Sequence, residues 1–321
     1  MNMDNENVLR PLKMVDFIGQ ENVKSNLLIA VHAARCRGEA LDHVLLYGPP
    51  GTGKTSIAQI LAAEMGSAIK IASAPLLDDP RDLTGILTRL REKDFLFLDE
   101  IHRLAPPLCE ILFPALEDYR LDLTIGGNVH ALKLKHFTFV GATTRPGMIA
   151  PPLRARFGIV HRLDFYSTDE LARIVKRSAS LLGCSIDDVG AEEIARRSRG
   201  TPRVANRLLR RCRDFAEMRG KGTVNAALAS DALSALGIDG LGLESLDRDI
   251  LRSLVQTFGG RPVGLETLAA SVNEDGATLE ETSEPFLMKL GLIDRTARGR
   301  MATEAAHKLV GGEPRVGGMV N

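Results

Sequence analysis

The chain lacks a cysteine pattern, a surplus of either charge, a long apolar run and an internal repeat, and each absence narrows its class. Its four cysteines (Cys36, Cys109, Cys184, Cys212) form no C-x-x-C pair and no zinc spacing with histidine. That excludes a disulfide framework and a zinc module, and suits a reducing cytoplasm. Basic and acidic side chains balance at 41 each, so any nucleic-acid binding must come from local basic clusters rather than from a field over the whole molecule. No stretch approaches the ~20 apolar residues of a membrane span. The polar, acidic first ten residues do not look like a signal peptide. A soluble, cytoplasmic protein with no membrane partner is expected. What is present is ordinary globular material, 44% hydrophobic and 26% charged. At 321 residues the chain is too long for one core, and two or three domains are expected.

Short apolar runs alternate with helical periodicity through the first half. Val23, Leu27, Val31 and Ala34 recur at helical spacing over 19–37. Residues 43–47 read as a buried strand entering a glycine turn, 56–65 as a helix, and 68–72, 94–98, 137–142 and 158–165 as further strands. This alternation predicts an α/β domain with a doubly wound parallel sheet over 1–165. From 166 to 240 helical patterns dominate, with cap signals at Ser167-Thr168-Asp169-Glu170 and Asp187-Asp188, which predicts a small all-helical domain. The remainder, 241–321, has helical segments at 247–258, 265–272 and 279–290, the last preceded by a capping-box pattern at Thr278 and Glu281. A basic hairpin at 292–295 and 300–302, with Gly299 in its turn, completes a winged-helix pattern. The glycine-rich tail from Gly311 is expected to be loose.

Gly48-Pro49-Pro50-Gly51-Thr52-Gly53-Lys54-Thr55 matches G-x-x-x-x-G-K-[ST] between a predicted strand and a predicted helix. Glycines let backbone N–H groups turn inward around phosphate oxygens, and the following helix N-terminus adds its positive dipole end. Lys54 supplies a point charge to the β- and γ-phosphates, and the Thr55 hydroxyl can take one place on Mg²⁺. The pattern predicts ATP/ADP binding with Mg. The buried run Phe95-Leu96-Phe97-Leu98 ends in Asp99-Glu100. A strand there would set Asp99 beside the phosphate site to hold the Mg²⁺ shell, and Glu100 where it can orient or deprotonate water. An adjacent Asp-Glu favours hydrolysis over binding alone.

Further segments carry a resemblance. Phe97-Leu98-Asp99-Glu100-Ile101-His102-Arg103-Leu104, Leu116-Glu117-Asp118-Tyr119, Gly141-Ala142-Thr143-Thr144-Arg145, Arg154-Ala155-Arg156-Phe157-Gly158, Arg199-Gly200-Thr201-Pro202-Arg203 and Arg295-Thr296-Ala297-Arg298-Gly299-Arg300 resemble the RuvB family, collinearly from about 9 to 310. These are AAA+ motors of bacterial Holliday-junction branch migration. The resemblance implies an AAA+ P-loop domain, a helical lid and a C-terminal winged helix. It implies an ATP-driven DNA translocase that works in recombination and repair as a homo-hexamer on double-stranded DNA at Holliday junctions, with a RuvA-like junction-binding protein and a RuvC-like resolvase. Carried over by position, Leu9, Arg10 and Ile18 would hold the adenine side of the nucleotide, and Ser56 belongs with the loop residues Gly48, Gly51, Gly53, Lys54 and Thr55. Glu117, Asp118 and Tyr119 would line its neighbourhood, as would Tyr166 from the start of the lid. Thr144 matches the polar sensor, with Thr143 as the alternative. Arg156 matches an arginine finger reaching the next subunit, and Arg203 a second sensor.

Bland alternatives stand beside some of these. Arg156 could be a surface arginine paired with Asp164 or Glu170. Arg199, Arg203, Arg207 and Arg210 recur at roughly helical spacing and read mostly as a solvated, salt-bridged face of a lid helix. Arg295, Arg298 and Arg300 are instead spaced to meet consecutive DNA phosphates without reading sequence. The segment 122–137 reads as a β-hairpin turning at Gly126-Gly127-Asn128. It is shorter than is usual in the family, whose members dock on RuvA through it. Ala297 replaces a usual proline, and Phe17 a common tyrosine. A clamp-loader-like switch and a degenerate binding module are the competing functions.

Overall fold

The computed structural model describes residues 6–125, 128–219 and 222–311, and the chain divides into two compact units, Met1–Phe165 and Tyr166–Asn321. In the first, α1 (Glu6–Leu9) and α2 (Glu21–Arg37) lead into β1 (Val44–Tyr47), α3 (Lys54–Glu64) and β2 (Ile69–Ser73). The chain continues through α4 (Pro80–Leu87), β3 (Phe95–Asp99), α5 (Pro106–Glu117), the hairpin β4 (Arg120–Ile125) and β5 (Asn128–Lys133), then β6 (Thr138–Thr143), α6 (Pro151–Arg154) and β7 (Ile159–Arg162). Val23, Leu27, Val31 and Ala34 are the buried face of α2, as their spacing predicts. That helix starts at Glu21 rather than Gly19, because Gly19 and Gln20 both hold positive φ, 80° and 56°.

The five expected strands form one parallel sheet in the order β2-β3-β6-β1-β7. Their apolar runs are continuous because both faces are covered. Leu45, Leu96, Leu98 and Phe139 pack on one side with Leu83 and Leu87 of α4 and Leu108 and Leu112 of α5. Val44, Leu46, Phe95, Phe97, Val140 and Ala142 pack on the other with Leu27 of α2 and Ile57 and Leu61 of α3. The hairpin stands apart as its own antiparallel pair, Ile125 opposite Asn128. Asn128 is therefore a strand residue, and the turn residues Gly126 and Gly127 lie outside the described residues.

In the second unit α7 (Thr168–Leu181) opens with a capping box between Ser167 and Glu170, and α8 (Asp188–Arg196) with an Asp187 cap on the Gly190 N–H, both as read from sequence. The helices α9 (Pro202–Met218) and α10 (Ala226–Ala235) follow. The expectation of purely helical structure is corrected by β8 (Ser185–Ile186) and β9 (Thr223–Val224), a two-residue parallel pair too short to leave a periodic signal. The winged helix comprises α11 (Ser245–Arg252), α12 (Leu265–Ser271), α13 (Gly276–Thr278), α14 (Glu284–Lys289), the hairpin β10 (Ile293–Thr296) and β11 (Gly299–Ala302), and α15 (Glu304–Val310) around a core that includes Leu254, Leu268, Phe286 and Ile293. Wide π turns continue α11 over Ser253–Thr257 and join α13 to α14 over Leu279–Ser283. Thr278 does not cap: it is helical, with φ −59°, and the helix begins after Asp275. The tail beyond Gly311 lies outside the described residues.

Gly48 shows how tightly the sheet fixes the loop that follows β1. Its φ is +141°, and a Cβ there would lie 2.0 Å from the Leu163 carbonyl oxygen. A Gly48→Ala protein is expected to lose about 3 kcal/mol, with a thermal midpoint lower by roughly 10 °C and nucleotide binding abolished. Calorimetry and a fluorescent-nucleotide titration measure both.

Candidate nucleotide-binding site

Parallel pairing sets the carboxyl ends of three strands side by side. Tyr47 of β1 pairs with Thr143 of β6, and Leu98 of β3 with Gly141 of β6. The loop 48–53 leaves β1 at this edge, with Gly51 and Gly53 also at positive φ, 78° and 104°. Helix α3 begins at Lys54, two residues earlier than its periodicity suggests, so the N–H groups of Lys54, Thr55 and Ser56 belong to its first turn, which offers them no intrahelical acceptor. Lys54 is buried, and its ammonium donates to the carbonyls of Gly48 (2.9 Å) and Pro49 (3.0 Å). The loop is thus closed over its own lysine, and Thr52 tightens it by donating to the Pro49 carbonyl at 2.9 Å.

Asp99 closes β3, and one of its carboxylate oxygens accepts the Glu100 N–H at 3.0 Å. Glu100 adopts the left-handed region (φ 50°), a costly state for a residue with a side chain. The turn Ile101–Arg103 then brings back His102, whose Nδ1 lies 3.1 Å from Glu100 Oε2 and 2.9 Å from Thr143 Oγ1. Thr144 Oγ1 donates to the same Glu100 oxygen at 3.3 Å. Both threonines therefore engage Glu100, Thr144 directly and the fully buried Thr143 through His102. Burial alone would raise the Glu100 pKa. The hydrogen bond and charge of His102, the Lys54 ammonium and the Thr144 contact outweigh it and hold the carboxyl below its ordinary value. Sequence reasoning gave His102 no role. Its signal is position: three residues beyond Asp99, one 3₁₀ turn folds it back onto Glu100.

The N-terminal segment runs from the far end of α3 up to this edge. Met14 N–H donates to Glu64 Oε1 at 3.4 Å, and the Gln20 amide pairs with both main-chain groups of Asp164 (2.7 and 3.2 Å) just beyond β7. Phe17 is buried without needing a hydroxyl. Leu9 is buried and Arg10 and Ile18 are half-buried.

Glu117, Asp118, Tyr119 and Arg156 gather elsewhere. The Tyr119 ring stacks on His136 at 4.2 Å and lies 6.0 Å from His43. Those histidines precede β6 and β1, so this is the amino edge of the sheet, separated from the P-loop by the length of β1, roughly 10 Å. Arg156 pairs with Glu117, donates to the carbonyls of Phe113 (3.2 Å) and Pro152 (2.6 Å), and lies over the Phe113 ring at 4.7 Å. Neither bland partner holds it: Asp164 pairs with Arg162 at 2.7 Å, and Glu170 serves the Ser167 cap. Within one chain, this group and the P-loop lie at opposite edges of the sheet.

In the second unit, Tyr166 N–H donates to the Gly200 carbonyl at 2.9 Å. Arg203 is exposed at the start of α9, and its side chain makes no hydrogen bond or ion pair within the described residues. Arg199, placed by its spacing on the same helical face, precedes the helix instead, with φ 55°, and pairs with the fully buried Asp247. The winged-helix arginines also divide. Arg295 and Arg300 are cross-strand partners. Arg300 turns inward, its guanidinium 3.0 Å from Glu284, while the half-exposed Arg295 reaches Glu280 at 3.0 Å. Arg298 is exposed at the tip, its N–H held by Thr296 Oγ1 at 3.2 Å. Spacing alone cannot reveal that Arg298 falls in the turn while Arg295 and Arg300, opposite each other, share the face toward Glu280 and Glu284.

Three family models match the chain: the Holliday junction DNA helicase RuvB P-loop domain over 9–163, the RuvB AAA lid domain over 166–239 and the RuvB C-terminal winged helix domain over 240–311. The Holliday junction branch migration complex subunits RuvB of Nostoc punctiforme and Trichormus variabilis are each 53% identical over 313 residues, covering 96% of this chain and 86% of theirs. The solved structure of the Thermotoga maritima RuvB Holliday junction branch migration motor superposes with a TM-score of 0.89 at 46% identity, covering 95% of this chain and 99% of that one.

The lowered Glu100 pKa carries a sign. The group is stabilising above its unfolded pKa, and that contribution fades as pH falls through the lower folded value. Replacing His102 with alanine removes the largest lowering influence, so the acidic limb of the kcat–pH profile for nucleotide hydrolysis is expected to move to higher pH. An unmoved limb would separate Glu100 from the titration.

Proposed function

The chain belongs to the RuvB family of Holliday junction DNA helicases, ATP-driven motors of branch migration, and from that premise we propose how its residues divide the work. The observation that carries the reading is the convergence of Lys54, Asp99, Glu100, Thr143 and Thr144 on the carboxyl edge of the sheet, with Arg156 held at the opposite edge.

In this reading the N–H groups of the loop and of Lys54, Thr55 and Ser56 bind the phosphates, and Lys54 exchanges its two carbonyl partners for phosphate oxygens. Leu9, Arg10, Ile18 and Tyr166 enclose the base. The Thr55 hydroxyl and Asp99 carboxylate are hard oxygen donors of the kind Mg²⁺ takes together with substrate phosphates, and the ion would supply charge neutralisation there. Glu100, kept ionised by His102 and oriented by Thr144, accepts a proton from the attacking water. Arg156, with Glu117, Asp118 and Tyr119 around it, serves the nucleotide of the next copy, and Arg203 senses γ-phosphate from the lid.

The division of labour follows as 1–165 for the ATPase, 166–240 for the lid and 241–321 for DNA. Arg295 and Arg298 offer charge to phosphates, and Arg300 sets the hairpin through Glu284. The working form is a cytoplasmic homo-hexamer on duplex arms of a Holliday junction. The hairpin β4–β5 is the docking site for a RuvA-like protein, and a RuvC-like resolvase acts on the product. Migration of a synthetic four-way junction, with and without the RuvA-like partner, tests the whole reading. ATP turnover without migration would instead favour a switch.

An Arg156→Ala protein is expected to lose about 10³-fold or more in kcat while retaining ATP binding. Mixed with wild type, it should inhibit more than in proportion to its share; strictly additive activity would remove the role in trans. For DNA, every phosphate that goes unneutralised makes the slope of log K against log salt shallower by about 0.9. Arg298→Ala should show that change, and an unaltered slope would take the hairpin tip out of the interface.

A further inference from the structure

The segment Arg199-Gly200-Thr201-Pro202-Arg203 faces three directions inside the second unit. Arg199 is bent into the left-handed region (φ 55°) and Gly200 follows at φ 75°. The Arg199 guanidinium pairs with Asp247 through both of its terminal nitrogens, one of them at 3.1 Å, and donates to the Thr282 carbonyl at 2.8 Å. It also lies 4.6 Å over the ring of Phe286. Asp247 is fully buried and accepts the Glu244 N–H at 2.9 Å, so the residue that grips Arg199 is also part of the cap of α11. On its other side the segment receives the Tyr166 N–H at Gly200, at the first residue of the unit. At its end Thr201 caps α9, and the exposed Arg203 lies in the first turn of that helix.

Thr282 lies between Glu280 and Glu284, which hold Arg295 and Arg300 of the hairpin. Polar contacts, joined through the backbone from Thr282 to Glu280 and Glu284, therefore link the start of α9 to the winged-helix hairpin. Neighbouring arginines stiffen the same junction: Arg196 donates to the Gly240 carbonyl at 2.6 Å, Arg197 to Ile238 at 3.1 Å, and Arg207 pairs with Glu244. An apolar pair at positions 199 and 247 would join the turn to α11 as firmly. A bidentate guanidinium adds a fixed direction.

We propose that Arg199 is a positioning residue that couples the nucleotide sensor Arg203 to the DNA-contacting hairpin, by tying the 199–203 turn to Asp247 and Thr282. The proposal rests on reading Arg203 as a γ-phosphate sensor and the hairpin as a DNA contact. A shift of Arg203 on phosphate release rotates the turn, and the guanidinium carries that rotation to α11 and to the acidic turn behind the hairpin.

The test uses the full chain with a four-way junction, scoring basal ATPase, DNA affinity, DNA stimulation of kcat and junctions migrated per ATP hydrolysed. For Asp247→Asn, basal ATPase and DNA affinity should stay within two-fold of wild type, while DNA stimulation and migration per ATP fall ten-fold or more. Arg199→Lys, which keeps charge but not the fork, should fall between. Because a buried change could unfold the protein, Arg199→Met/Asp247→Leu fills the space with apolar atoms. It should melt near or above wild type and still be uncoupled. Wild-type migration per ATP in that folded double variant overturns the coupling alone. Failure of wild type itself to move junctions overturns the motor reading, and this proposal with it.

Discussion

In-register parallel pairing of β3, β6 and β1 is the constraint on which the rest depends. Because these strands run the same way and end level, Asp99, Thr143 and the loop after Tyr47 reach one edge without long side chains bridging the gaps. The sheet is held level by apolar layers on both faces, Phe95 and Phe97 to one side and Leu96 and Leu98 to the other. Catalytic geometry is thus a by-product of core packing, and strain is confined to the ends. Glu100 and Gly48, the residues after β3 and β1, take up the unusual backbone states.

Much of this was legible. A buried strand both of whose faces are covered reads as an unbroken apolar run, so the strands announced themselves, and a glycine-spaced loop before a helix has few uses besides cradling phosphate. The caps at Ser167 and Asp187 were legible because a side chain three residues from its donor is a local matter. Thr278 shows the limit of that logic: the same spacing occurs one turn inside a helix, where nothing in the pattern says that the start has already passed.

What sequence could not show is partnership across distance. Arg199 and Asp247 are separated by 48 positions, and no spacing rule joins them, so a buried ion pair passed for one arginine among many on a solvated face. Arg300 was likewise indistinguishable from Arg298 until the hairpin set one on β11 against Glu284 and the other in the exposed turn. His102 fell between these cases. It lay inside a recognised segment, yet its task comes from a backward turn that composition does not encode.

The two edges of the first unit have a geometric corollary. The proposed completion of the active site by Arg156 of another copy would join unlike surfaces, the P-loop edge of one chain to the amino edge of the next. Such a contact is heterologous and cannot be satisfied mutually by two molecules related by a two-fold axis. Repeated, it must either close into a ring or grow into an open spiral, and every site in the series points the same way around. On that proposal, polarity of travel along a helical substrate would already be contained in the separation of Lys54 from Arg156 within one chain.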